Sequence, residues 1–465
     1  MAKKGYRIEK DSMGEMQVPV DAYWGAQTQR AVENFPISGY RFPRAFIRAL
    51  GMIKHSAAQT NLDLKRLDKK IAKAIMQAAE EVMEGKLDAQ FVLDIFQTGS
   101  GTSTNMNTNE VIANRANEIL GGKIGDRSPI HPNDHVNKGQ SSNDVIPTAM
   151  HIAALESIVT TLIPALSALQ KTFDKKAKEF DKIVKIGRTH LQDATPIRLG
   201  QEFGGYASML KHGVKRLEHT GKNLSELAIG GTAVGTGINT HPDFAKGVCK
   251  RVSETTGIKF TEADNHFEAQ GAKDAYVEAS GALKTVAVSL MKIANDIRWL
   301  GSGPRCGIGE ILLPEVQPGS SIMPGKVNPV IAEAMCMVCA QVIGNDAAIA
   351  VGGMFGNFEL NVMMPLMAHN MLESITLLSN AINVFNEKCV SGIRADVDRN
   401  TEMIEKSLAM CTSLVPHIGY DQSAAIAKEA YKKGKTVREV AKEKQLIDEK
   451  TLNEALDPWS MTEPS

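Results

Sequence analysis

Apolar residues recur three and four positions apart from about Asp144 to Phe180, and the same wide apolar face returns at about 197–228, 272–301, 331–351 and 358–391. That period is the signature of the amphipathic helix. Rods of this length reach roughly 45 Å or more at about 1.5 Å per residue. Shorter helical patterns occupy about 43–60 and 66–84, the first 40 residues read as extended pieces and turns, and after Gly392 the texture changes to short charged segments. The predicted architecture is mainly α: a central bundle of long helices at 141–392, an N-terminal domain at 1–140 and a small helical C-terminal domain at 393–465. One chain has little use for several such rods, so they are expected to pack against copies of themselves.

Composition narrows the class. Of 465 residues, 43% are hydrophobic and 23% charged, as in a soluble globular protein, and 53 Lys+Arg balance 53 Asp+Glu. Zero net charge favours neither nucleic acid nor an anionic membrane as partner. The longest apolar candidate for a membrane span, Thr148 to Leu169, contains His151 and Glu156. The stretch from Met1 to Lys10 carries positive charge with no apolar run behind it, so no secretory signal is expected. The expected compartment is the cytoplasm, or an organelle if a targeting segment has been removed. Six scattered cysteines fit a reducing compartment. Cys336 and Cys339 form a Cys-x-x-Cys without a second pair inside an apolar helical stretch, which reads as core and not as a metal or redox site.

The chemistry concentrates in Gly319-Ser320-Ser321-Ile322-Met323-Pro324-Gly325-Lys326-Val327-Asn328-Pro329. Two glycines and two prolines forbid a regular helix or strand, leaving a shaped loop that gathers two hydroxyls, an ammonium and an amide. That is an anion site. It is not a nucleotide loop, which needs four residues between its glycines and Ser or Thr after the Lys. Here five residues separate Gly319 from Gly325, and Val327 follows Lys326.

Three further polar clusters lie at helix boundaries. Gln97-Thr98-Gly99-Ser100-Gly101-Thr102 runs into a helical pattern, and hydroxyls ahead of a helix suit a carboxylate. The run from His131 to Asp144 stops where the first long rod begins, so it caps that helix. Gly187-Arg188-Thr189-His190-Leu191-Gln192-Asp193-Ala194 lies between the first two rods. A glycine-rich run from Gly230 to Thr240 follows a helix and no βαβ alternation surrounds it, which excludes a dinucleotide fingerprint.

The loop at 319–329 resembles the signature loop of the fumarase/aspartase superfamily, whose members eliminate a small molecule to leave fumarate, or add it back. The resemblance spans nearly the whole chain. It implies a bundle of five long helices per chain in a homotetramer with shared sites, a C4 dicarboxylate substrate, and no metal or organic cofactor. It also implies roles. Ser320 is the expected base, with Ser321 the lesser candidate, and Lys326 stabilises developing charge. His190 belongs to the catalytic apparatus with Glu333 as its carboxylate partner. Ser100, Thr102, Ser141, Ser142, Asn143, Thr189 and Asn328 hold substrate, with Thr236 and Asn239 near the site. His131, Asn133 and Asp134 resemble a second, non-catalytic dicarboxylate site, although Ser128 and Pro129 stand where some fumarases place basic residues.

Within the superfamily, His190, the Ser141-Ser142-Asn143 step and Gly230-Gly231-Thr232 side with class II fumarases, which hydrate fumarate to L-malate. Val330-Ile331 departs from the usual fumarase pair and resembles aspartases, so aspartate ammonia-lyase is the alternative. A non-catalytic structural relative would tolerate damage to the site, whereas every expected polar residue is present.

Overall fold

The computed structural model describes residues 5–464; residues 1–4, part of the stretch read above as no secretory signal, and residue 465 lie outside the described residues. The chain opens with a hairpin of β1 (Tyr6–Asp11) and antiparallel β2 (Gly14–Pro19), then α1 (Ala26–Asn34). The Gly25 cap of α1 has no side chain to satisfy the first turn. The buried Glu110 carboxylate does so instead, accepting from the N–H groups of Gly25, Gln27 and Thr28 and from the Thr28 hydroxyl. A Cβ at Gly25 would stand 2.6 Å from Glu9 Oε2, so only glycine fits this approach.

Next come α2 (Arg44–Asp63), α3 (Lys69–Met83) and α4 (Thr102–Ile119). Ile47, Ile75, Ala78, Val82, Val111 and Ile112 from their facing stripes form one buried core. Helix α3 starts later than its apolar period suggests because Asp68 caps it, accepting from the N–H groups of Lys70 and Ile71.

The rods follow. Residues 142–179 are continuously helical as α5 (Ser142–Ser157), a π-helical turn at Ile158–Leu162, and α6 (Ile163–Glu179). Pro164 has no N–H to offer the turn before it, and the hydroxyls of Thr160 and Thr161 donate to the carbonyls of Glu156 and Ser157. Then come α7 (Leu199–Leu224), α8 (Phe244–Thr256), α9 (His266–Gly271), α10 (Asp274–Leu300), α11 (Val330–Gly353) and α12 (Met364–Lys388). Five long helical segments thus stand where the periodicity puts them. The fold is mainly α.

Two local readings change. The segment around His190 is a hairpin, β3 (Val184–Thr189) paired antiparallel with β4 (Gln192–Arg198). The last rod begins at Met364 and not 358, because a small hairpin of Gly356–Asn357 with Leu360–Asn361 precedes it and leaves Phe358 95% exposed. Short helices between Val397 and Ala455 close over a separate core of Ile404, Leu414, Ile426, Val440 and Leu452.

The chain divides into two compact units. One comprises Met1–Pro164, Lys215–Thr285 and Ala340–Leu378; the other comprises Ala165–Val214, Val286–Cys339 and Ser379–Ser465.

Candidate active site

In the first unit, the start of α4 is built on close backbone approach. Gly101, its N-cap, has φ +71°, and a Cβ at Gly99 would lie 1.8 Å from the Val362 carbonyl oxygen. The Met364 N–H donates to the Gly99 carbonyl at 3.1 Å, pinning the loop to the start of α12. These constraints set the buried Ser100 hydroxyl 2.8 Å from that of Thr102.

The start of α5 is a capping box. The Asn143 N–H donates to Ser141 Oγ at 3.2 Å, and Asp144 Oδ1 accepts from the Ser141 N–H at 2.9 Å. The other Asp144 oxygen accepts from the N–H groups of Gly230 and Thr232 at 3.0 and 2.9 Å, which folds the glycine-rich turn onto the helix end. The Asn143 amide donates to the Ala233 carbonyl at 2.8 Å, fixing the same turn. Asp144 is fully buried, and burial pushes its carboxyl up to about 6 against the pull of those N–H groups and of Lys54. The sequence reading thus brings Ser141, Ser142 and Asn143 together with Ser100 and Thr102 at the starts of two helices, α5 and α4. Thr236 and Asn239 lie on the turn that Asp144 holds, Asn239 in the left-handed region at φ +65°.

Behind them lies a residue the sequence reading missed. Lys54, on α2, has no exposed surface. Its ammonium donates to Asn105 Oδ1 at 2.8 Å, Asn137 Oδ1 at 3.0 Å and Gln140 Oε1 at 2.9 Å. Burial pushes it down to about 7, with Asp144 opposing.

The candidate second dicarboxylate residues stand on the π-helical turn Pro132–Val136. His131 caps it: Nδ1 accepts from the N–H groups of Asn133 and Asp134 at 3.3 Å.

In the second unit, His190 and Leu191 form the tip of the β3–β4 hairpin, with φ +57° and +60°. Thr189 and His190 are exposed there. The hairpin is anchored from below by Glu310, which is fully buried and takes the Arg188 guanidinium in a two-point pair at 2.8 and 2.9 Å, with the buried Lys185 ammonium at 3.2 Å. Arg188, beside His190 in the motif, therefore holds the hairpin's shape.

The 319–329 loop closes on itself. The Gly319 N–H donates to the Lys326 carbonyl at 2.7 Å, and the Asn328 amide donates to the Gly319 carbonyl at 2.6 Å. A Cβ at Gly319 would stand 2.5 Å from the Lys326 oxygen, and Gly325 turns the chain at φ +77°. Within this ring Ser320 Oγ accepts from the N–H groups of Ile322 and Met323 at 3.2 and 2.9 Å. Such donors favour the deprotonated hydroxyl over the neutral one. Ser321 and Lys326 are exposed, and Glu333 stands half-buried in the first turn of α11.

Known proteins match this chain in sequence and in fold. The family model described as Lyase matches residues 14–344, and that described as Fumarase C C-terminus matches residues 410–463. The chain is 57% identical to the class II fumarate hydratase of Nitrosomonas europaea, over 98% of this chain and 99% of the relative. It is 59% identical to that of Halobacterium salinarum, over 98% and 97%. The crystal structure of recombinant class II fumarase from Schistosoma mansoni superposes with a TM-score of 0.96 at 41% identity, covering 98% of this chain and 99% of that one. Matched from end to end in sequence and in fold, the chain belongs to the class II fumarate hydratase family.

Proposed function

We propose that this chain catalyses the reversible hydration of fumarate to L-malate, by anti addition and elimination of water through an aci-carboxylate intermediate. The observation that carries the reading is the Ser320 hydroxyl held by two backbone N–H groups in a self-closed loop, in a chain of this family. In the direction from L-malate to fumarate, Ser320 takes the proton on carbon beside one carboxylate, giving a dianionic aci-carboxylate. Lys326 and the loop amides stabilise that charge where it develops. The C–O bond then breaks as the leaving hydroxide takes a proton relayed from the His190 imidazolium through a water held by Thr189, His190 and Asn143, with Glu333 orienting and charging that His. Ser100, Thr102, Ser141 and Ser142 hold one substrate carboxylate and Asn328 the other. His131, Asn133 and Asp134 form a second, non-catalytic dicarboxylate site.

The reading includes a homotetramer with shared sites, domain boundaries near residues 140 and 392, and a cytoplasmic location. Relatives include a mitochondrial fumarate hydratase from Saccharomyces cerevisiae at 55% identity, and that protein's location is its own.

The test is absorbance at the ultraviolet edge, following fumarate appearance from L-malate and, in parallel, from L-aspartate. Appearance from malate alone is expected. Appearance from aspartate would establish the ammonia-lyase alternative, for which Val330-Ile331 is the sequence signal. Ser320→Ala is expected to abolish turnover with assembly intact, and near-normal activity in that variant would remove Ser320 as base.

A further inference from the structure

An ammonium has three donors and no acceptor. All three of Lys54's are taken by side-chain carbonyl oxygens, and among the described residues it forms no ion pair. This fixes amide orientations that would otherwise be free. Because Asn105 must turn Oδ1 toward Lys54, its Nδ2 points the other way, donating to Ser142 Oγ at 3.0 Å and to Asn137 Oδ1 at 3.3 Å. Ser142 Oγ is therefore an acceptor from inside, and its own proton is left to donate outward.

Asp144, the buried carboxylate two residues along, is already engaged. Asp144 accepts from the N–H groups of Ser141, Gly230 and Thr232 through its two oxygens. Asn137 and Gln140 continue the same polarity: the Asn137 amide donates to the Gln140 carbonyl at 3.1 Å, and the Gln140 amide to the Val136 carbonyl at 3.1 Å. Asn137 Oδ1 also accepts from the Asn109 amide at 3.2 Å, so it is through Asn105 that the polarity set by the buried cation reaches Ser142.

We infer that Lys54 is a positioning residue for substrate: through the Asn105 amide it turns the Ser142 hydroxyl into an obligatory donor toward an anionic carboxylate. The inference rests on the reading that Ser142 contacts substrate. Burial adds to the effect, since a positive charge at zero exposure is little screened by solvent. A bare packing role would be met by Met or Leu on this helix face, without the desolvation of an ammonium.

Four variants separate the possibilities. Asn105→Asp keeps shape and still accepts from Lys54, but cannot donate to Ser142, whose hydroxyl then turns inward to the new carboxylate. Its KM for L-malate and its dissociation constant for succinate, a dicarboxylate that cannot react, are expected to rise about ten- to a hundredfold, the range for one hydrogen bond to a charged group. Its kcat is expected to stay within about threefold. Ser142→Ala is expected to raise KM comparably, and the double variant to be no weaker than Ser142→Ala alone, because both changes cut one chain of bonds. Lys54→Met, which removes the ammonium from all three carbonyl oxygens, is read the same way should Asn105→Asp not fold. Ser142→Ala with unchanged KM removes the underlying reading. Ser142→Ala with raised KM but Asn105→Asp within twofold of the parent, or a double variant that is additive, overturns the relay alone.

Discussion

Asp144 and Lys54 are both buried beside the start of α5, and they are changed in opposite senses by the same cause. Burial raises the carboxyl to about 6 and lowers the ammonium to about 7. For Asp144 the ordinary value is 3.8. Between there and about 6 the unfolded chain has released this proton while the folded chain holds it. The residue's contribution to stability therefore falls as pH rises through that window. At roughly 1.4 kcal/mol per unit the loss is about 3 kcal/mol. Thermal unfolding of the parent and of Asp144→Asn is expected to show the parent-minus-variant difference shrinking from pH 4 to pH 6. A flat or growing difference would mean that Asp144 is ionised in the fold throughout. Ser141-Ser142-Asn143-Asp144 announces itself in sequence as a capping box ahead of an apolar run. Lys54 does not. It sits between Ile53 and His55 on a helix whose period already accounts for it, and its role depends on Asn105, Asn137 and Gln140, which lie 51, 83 and 86 residues away.

At the scale of elements, helices were legible because their apolar period of three and four persists for dozens of residues, and turns were legible only where glycine or proline marks them. The β3–β4 hairpin escaped because its tip is His190-Leu191, two residues in the left-handed region where Asn-Gly is the usual signal. The arrangement is held by Glu310 beneath, more than a hundred residues later in the chain. The 319–329 loop was legible, and its glycines explain its precision. Gly319 is where two backbone segments meet, since its N–H and carbonyl bond Lys326 and Asn328. Gly319→Ala must open that ring, because the added methyl would lie 2.5 Å from the Lys326 oxygen. The Ile322 and Met323 N–H groups then leave Ser320 Oγ. Turnover is expected to fall about tenfold to a hundredfold, while the melting temperature moves little because residues 321–327 are exposed and carry no core. A variant that unfolds early but turns over normally once corrected for folded fraction would show that the ring supports the fold and not the base.

At the scale of the whole molecule, the exposed surface of the rods is the feature that a single chain leaves unexplained. Helix α11 carries apolar residues around most of its circumference, and only about a third of its apolar stretch is buried within the chain. Met337 is 68% exposed, and Ile343 and Val351 are exposed on the same helix. Val288 on α10 and Val384 on α12 extend the pattern to two more rods. A helix hydrophobic all round belongs in a core or a membrane, and the chain's 23% charged residues and polar helix starts argue for a core built between chains. Such a core would bring the loop residues of one chain to the helix starts of another, as the proposed shared sites require. Sedimentation equilibrium is expected to give four chains per particle. Met337→Glu places a charge on the exposed apolar flank and is expected to yield smaller species that retain helical circular dichroism but lose turnover together with assembly. A dissociated Met337→Glu variant that still hydrates fumarate at the parental rate per chain would show that each chain carries a complete site, and the shared-site reading would fall while the fold stood.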